Sequence, residues 1–157
     1  MENSNGNHEN IPVKVTELSR KDVRALIYHL LYSVECFDYQ SSLNSIVANY
    51  NRFYDLDIAE DGEVFNITES VIESRKKLDE VIKPLLANWK LERLSVSTHL
   101  ILRLAIWELL NTDIAPNIVL NEAIELSKGF SEKDAYKFVN GVLDEALKHL
   151  DELKKHK

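Results

Sequence analysis

Residues 137–141 read K-F-V-N-G, the end of a longer stretch, N-E-A-I-E-L-S-K-G-F-S-E-K-D-A-Y-K-F-V-N-G, that begins at residue 121. Asn140 and Gly141 fall inside what is otherwise the apolar stripe of an amphipathic helix. A glycine there costs about 1 kcal/mol relative to alanine. Two explanations fit it: close packing against another helix, or approach of a ligand or another backbone, and spacing alone does not separate them. A second group, Arg20, Lys21, Arg24, Tyr28 and Tyr32, lies opposite the apolar stripe of a helix near the N-terminus. On spacing alone the basic members read as a solvated face and Tyr32 as a side chain at the stripe's edge.

Catalytic arrangements are missing. There is no glycine-rich phosphate loop, H-E-x-x-H, cysteine pair or nucleophile elbow. The five histidines are scattered, and the acidic pairs Asp144-Glu145 and Asp151-Glu152 read as solvated helix faces. Cys36, the one cysteine, excludes an internal disulfide, and its apolar neighbours predict a small buried side chain. No catalytic residue, metal site or cofactor is predicted.

The elements that carry these residues all read as helices. Ser19 caps the first, with Asp22 as its capping-box-like partner, and Val23, Leu26, Ile27, Leu30, Leu31 and Val34 form its stripe. A second helix fits residues 41–54, and an acidic loop fits 55–64. A long third helix is predicted from Thr68 to Trp89, kinked or divided by Pro84. Ser95 or Ser97 caps a fourth, whose segment 100–110 is apolar on most sides and therefore central. Glu108 within it needs a partner, which Arg103 is not placed to supply. Asn117 is predicted to cap a helix through Leu126, with Gly129 closing it in the left-handed conformation. Ser131 then caps the next helix, with Asp134 at its third position. Neither strand nor repeat is apparent, so the predicted fold class is all-α.

The chain's 157 residues suffice for one domain with a real core. Residues 1–16 are predicted to be a disordered lead-in, 17–153 the helical domain and 154–157 a basic tail. No apolar run reaches transmembrane length and no signal-peptide core is evident, so a cytoplasmic location is expected. The net charge of −7 argues against broad nonspecific nucleic-acid binding, so any such role needs a local patch.

Five pieces, taken in order, carry a family resemblance. They are L-L-Y-S at 30–33, N-W-K-L-E-R at 88–93, L-R-L-A-I-W-E-L at 102–109, N-E-A-I-E-L-S-K at 121–128 and K-F-V-N-G at 137–141. From residue 19 to 150 the chain resembles the NusB family of bacterial transcription antitermination factors. The resemblance implies about seven helices in two subdomains and no enzymatic activity. It implies binding of boxA-type single-stranded RNA from ribosomal RNA transcripts, jointly with the small-subunit ribosomal protein that doubles as NusE. The complex joins RNA polymerase and other Nus factors, and some members form homodimers. A relative of the RNA-binding domain of ribosomal RNA cytosine methyltransferases is a second reading, and a protein-only helical module a third.

Carried over residue by residue, the family's N-terminal basic motif falls on Arg20, Lys21 and Arg24, and its first-helix tyrosine on Tyr32. The RNA-contacting start of the late helix falls on Asp134, Lys137 and Phe138, with Asn140 nearby. Basic side chains engage phosphates and aromatic ones stack on unpaired bases. The protein-partner surface falls on Glu92, Arg93 and Thr98, where Thr98 replaces a usual acidic residue and removes one expected salt bridge. Asp22 and Glu17 thin the basic motif, which predicts weak or partner-dependent RNA affinity. Arg24→Glu and Phe138→Ala are each predicted to weaken RNA binding without unfolding the protein.

Overall fold

The computed structural model describes residues 13–155. The predicted lead-in up to residue 12 and the last two residues of the basic tail lie outside them. Eight α-helices account for nearly all regular structure: α1 Arg20–Cys36, α2 Leu43–Tyr54, α3 Glu63–Glu73, α4 Arg75–Ile82, α5 Val96–Asn111, α6 Pro116–Phe130, α7 Ala135–Lys148 and α8 Leu150–Lys155. Among the described residues there is no strand, only one bridge between Val13 and Leu56. Residues 13–16, predicted to be disordered, are ordered by that bridge and by the Val15 amide donating to Asp57 Oδ1 at 2.7 Å.

α1, α2 and α3 pack together, and α4, α6, α7 and α8 gather around α5, which also meets α1 and α3. Ser19 caps α1 by accepting from the Asp22 amide, Ser42 caps α2 through the Ser45 amide, and Ser95 caps α5 through the Thr98 amide. Each short hydroxyl side chain satisfies a donor that the helix's first turn would leave unpaired.

α5 is buried along nearly its whole length. Its charged residues therefore need partners, and each comes from another element. Glu108 accepts from Arg24 Nε of α1 at 2.9 Å, both side chains being under 10% exposed, and Glu122 of α6 approaches Arg24 at 4.0 Å. Arg103 forks onto both Asp79 oxygens of α4 at 2.7 and 2.8 Å, and His99 meets the same carboxylate at 2.6 Å. Trp107 donates its indole N–H to Ser70 of α3 at 2.9 Å. Burial pushes the Glu108 carboxyl up despite Arg24. Burial also pushes Asp79 up, but the bonds and charges from Arg103 and His99 prevail and hold it at about 2.

Several expectations are corrected. The long third helix is two: α3 begins before Thr68, at Glu63, and the chain breaks at Ser74. There the Arg75 side chain donates to the Ile72 carbonyl and satisfies an acceptor at the helix end. Past α4 the chain tightens into a 3-10 turn, Lys83–Leu86, that carries Pro84, and Trp89 is not helical at all. α6 starts at Pro116, so Asn117 is inside it and caps nothing. Proline suits a first helical position, and Ala115 before it takes the extended conformation that a following proline imposes. Gly129 does not end α6, which runs on to Phe130. Cys36 is exposed, because it is the last residue of α1 and faces away from the stripe.

Two outcomes follow. Arg24→Glu sets a third carboxylate beside Glu108 and Glu122, so it unfolds the protein and cannot report on RNA. Arg24→Ala strands the Glu108 charge and is expected to lose about 3–5 kcal/mol in urea denaturation. Asp79 has a folded pKa below its ordinary value of 3.8, so its contribution is present above that value and is lost as pH falls towards about 2. Asp79→Asn should lower stability near neutrality and flatten the acid decline between roughly pH 4 and pH 2 in a thermal-melt series.

Candidate functional site

The residues proposed from the sequence divide between an α1 group and an α7 group. Arg20 is exposed and clasps Glu63 with two bonds of 2.6 and 2.9 Å, which raise the arginine pKa and lower that of the glutamate. Lys21 is exposed. Arg24 does not join them, since its guanidinium is held inside the core by Glu108. Tyr32 is 40% exposed, with its ring centroid 6.1 Å from that of Tyr28.

A hydroxyl network ties this part of α1 to the turn before α7. Ser97 Oγ donates to the Phe130 carbonyl at 3.1 Å and lies 2.8 Å from both Tyr28 Oη and Ser131 Oγ. Ser95 Oγ donates to the Glu132 carboxylate at 3.1 Å. Burial raises the Tyr28 phenol pKa and lowers that of His29, so both are neutral at pH 7. Phe130 stacks on Tyr28 with centroids 5.2 Å apart and receives the edge of His29 at 4.7 Å.

This network explains why Ser131 does not cap the next helix: its hydroxyl is turned towards Ser97. α7 begins only at Ala135, after Asp134 in the left-handed conformation at φ 66°. Asp134 thus stands just outside the helix, and its carboxylate lies 3.7 Å from Lys137 Nζ. Lys137 is exposed, Phe138 and Asn140 are half-buried, and Gly141 is exposed. A Cβ on Gly141 would meet nothing beyond its own helix within 4 Å, so close helix packing is not its explanation.

Opposite α7, Trp89 projects into solvent at 57% exposure and meets Phe138 edge-on, with centroids 5.9 Å apart. It is carried by a turn in which the Trp89 amide donates to the Leu86 carbonyl at 3.0 Å. Ala87 there adopts φ 53°, ψ −110°, a conformation that ordinarily requires glycine. Such a residue stores about 1–3 kcal/mol of strain. The Trp89–Phe138 pair divides two clefts. One, of ≈ 320 Å³, is bordered by Arg93, Ser95, Glu132, Lys133 and Asp134. The other, of ≈ 430 Å³, is bordered by Pro84, Leu85, Gly141 and Glu145.

Trp89 and Phe130 were not among the residues singled out from the sequence. By period alone Trp89 fits a helix face, and the signal against that is Pro84 followed by Asn88, two residues that favour a turn. Phe130 gave no periodic signal, because it follows a glycine at the end of its helix. Glu92 and Arg93, of the expected protein-partner set, are exposed on a 3-10 turn, Leu91–Arg93. Thr98 is not: it is 3% exposed, with the Glu132 carboxylate lying over it at 3.5 Å. Among the described residues no group of three His, Cys, Asp or Glu side chains is placed to hold a metal. Nor is any helix among them long and apolar enough to cross a membrane.

An all-helical scaffold that presents an exposed tryptophan against a half-buried phenylalanine, with charged side chains of both signs around them, has the form of a binding surface. Comparison with known proteins makes this specific. The family model described as the NusB family matches residues 21–148. The chain is 36% identical over 126 residues to the transcription antitermination protein NusB of Staphylococcus haemolyticus, covering 80% of this chain and 97% of that one. It is 34% identical over 134 residues to the NusB of Staphylococcus aureus, covering 83% and 100%. The solved structure of NusB from T. maritima superposes with a TM-score of 0.73 at 30% identity, over 89% of this chain and 99% of that one. The chain belongs to the NusB family, a family of transcription antitermination factors.

Ser97→Ala orphans the buried Tyr28 hydroxyl and frees the turn before α7. It should cost about 1–3 kcal/mol. Faster amide exchange at residues 131–134, with α2 unchanged, would locate the effect.

Proposed function

We propose that the chain binds boxA-type single-stranded RNA of ribosomal RNA transcripts together with the NusE-type ribosomal protein, as part of an assembly with RNA polymerase and other Nus factors. The observation that carries the reading is exposed Trp89 set edge-on to half-buried Phe138, beside Lys137. Single-stranded RNA is recognised by aromatic faces on which unpaired bases stack and by cations that meet the phosphates between them. Lys90, Lys133 and Lys137 are exposed near this pair, with the carboxylates of Glu132 and Asp134 among them, on a chain whose overall charge is −7.

Tyr32 and Phe130 extend the aromatic surface towards α1, where Lys21 and Arg20 supply further cations. Arg20 is shared with Glu63, and Glu132 and Asp134 stand among the α7 cations. These carboxylates reduce the patch's attraction for phosphate, which supports weak binding by the chain alone and tighter binding once a partner adds its own surface. Arg24 acts as a strut that fixes α1 on α5 and does not contact RNA. Glu92 and Arg93 stand as the protein-partner surface, and Glu132 supplies there the carboxylate that Thr98 lacks. The reaction is none: the mechanism is binding and scaffolding.

A salt titration of binding to a short boxA-type RNA, with a scrambled RNA beside it, tests this with and without the ribosomal partner. Selective binding that tightens with the partner is expected. Lys137→Ala should weaken binding to both RNAs and reduce the salt slope by about 1. Phe138→Ala should lose about 1–3 kcal/mol of RNA affinity while the helical fold persists. Equal binding of both RNAs in every condition, with the partner still captured, would leave a protein-only scaffold instead.

A further inference from the structure

The end of α2 carries the two most exposed large apolar side chains among the described residues, Phe53 at 70% and Tyr54 at 66%. α2 packs chiefly on α1 and fully buries only Ile46 and Val47. None of the five family-marking pieces falls between residues 34 and 87, so the resemblance does not account for these rings. Both are held in place. Arg52 lies over the Phe53 ring at 4.9 Å and donates to Asn49 Oδ1 at 3.1 Å. The Tyr54 ring tilts against Tyr50 with centroids 5.3 Å apart, and Tyr50 is bonded to Ser33 and to the His29 carbonyl of α1.

The loop that follows is equally fixed. Asn51 donates to the Ile58 carbonyl at 3.0 Å and accepts from the Ile58 amide at 2.8 Å, and the Ile58 side chain is buried. Around that anchor Asp55, Asp57, Glu60 and Asp61 are all exposed. Among the described residues none of the four is in an ion pair. Lys14 and Arg52 are the cations nearest in the chain to this stretch and to the segment bonded to it, and the next carboxylate, Glu63, is taken by Arg20.

We propose that the end of α2 and the acidic loop after it form a docking surface for a basic protein segment, which lays an apolar side chain on Phe53 and Tyr54 and sets Arg or Lys against the loop carboxylates. The sign of the charge selects this occupant, because like charges set against each other reject a partner. RNA would bring phosphates against four carboxylates. Residues 1–12 enter beside this surface, where the Val13 amide donates to the Asp55 carbonyl at 2.6 Å, but they hold Glu2 and Glu9 and no Lys or Arg. A second copy carries the same −7 and, in a two-fold pairing, would set these carboxylates against themselves. Arginine suits both halves of the surface, since a guanidinium pairs with carboxylates and stacks on aromatic faces. The surface gives the chain a binding role beyond RNA and the ribosomal protein.

The test is an amide-shift NMR titration of the full chain with short synthetic peptides: one of Arg, Lys and Gly that carries Leu, one with its Leu replaced by Gly, and one with its Arg and Lys replaced by Glu. The Leu-bearing basic peptide is expected to shift residues 52–61, and the other two to bind at least about tenfold more weakly. Phe53→Ser, and Glu60→Lys combined with Asp61→Lys, should each weaken that peptide by about tenfold. Both variants change exposed side chains, so Tm and RNA binding in the presence of the ribosomal partner should match wild type. Equal binding of the Leu-free peptide reduces the surface to nonspecific charge and overturns the proposal. Shifts centred on other carboxylates such as Glu145 and Glu152, or wild-type affinity in both variants, overturn it too. Displacement of the peptide by boxA-type RNA, concentration-dependent shifts of residues 52–61 in the free chain, or nuclear Overhauser contacts from Ile11 to Phe53 would give the surface to RNA, to a second copy or to the chain's own terminus, and each contradicts the proposal.

Discussion

The buried bond between Arg24 and Glu108 is the contact on which the other arrangements depend. α5 is the one helix wrapped on nearly all sides, and a helix so buried can hold a carboxylate only if a cation is delivered to it. Arg24 delivers it from α1, and the geometry of that bond sets where α1 lies against α5 and how Glu122 of α6 comes alongside. The second ionic cluster, Arg103 and His99 on Asp79, does the same for α4. Replacing a buried ion pair by apolar side chains of equal volume is often neutral for stability. Directional charge pairs add register: they allow α1, α4 and α6 few positions around the central helix.

That register reaches the surface through hydroxyl groups. Tyr28 lies one helical turn beyond Arg24 on α1 and meets Ser97 near the start of α5, and Ser97 in turn holds Phe130 and Ser131. The turn before α7 is therefore positioned from the core outward, and with it Asp134, Lys137 and Phe138. Trp89 is positioned from the other side by a turn that keeps Ala87 in a conformation alanine disfavours. The aromatic pair is thus held from two sides, and preorganisation of this kind lowers the entropy lost on binding.

Much of this was legible in the residues. The serine caps of α1 and α5, the all-round apolar character of α5 and the need of Glu108 for a distant partner all follow from local chemistry. What was not legible depends on contacts between segments. Arg24 has the spacing of a solvent-facing residue, and only the approach of α5 takes it inside. Ser131 has the sequence context of a cap, and only Ser97, thirty-four residues earlier, draws its hydroxyl away. Trp89 fitted a helical stripe because period alone cannot register a turn held by a strained alanine. Thr98 lies in a segment that reads as partner surface, yet Glu132 covers it.

In the proposed function, RNA lies along one edge of the molecule, from Tyr32 across the turn before α7 to Trp89. Amide hydrogen exchange, followed on the protein with its ribosomal partner before and after addition of boxA-type RNA, tests it most directly. RNA bound along this edge gives new protection at residues 87–90 and 131–141 and along the Tyr32 face of α1, with α2 unaffected. Protection confined to α2 and α3, or none on the α7 edge while RNA is demonstrably bound, would contradict it.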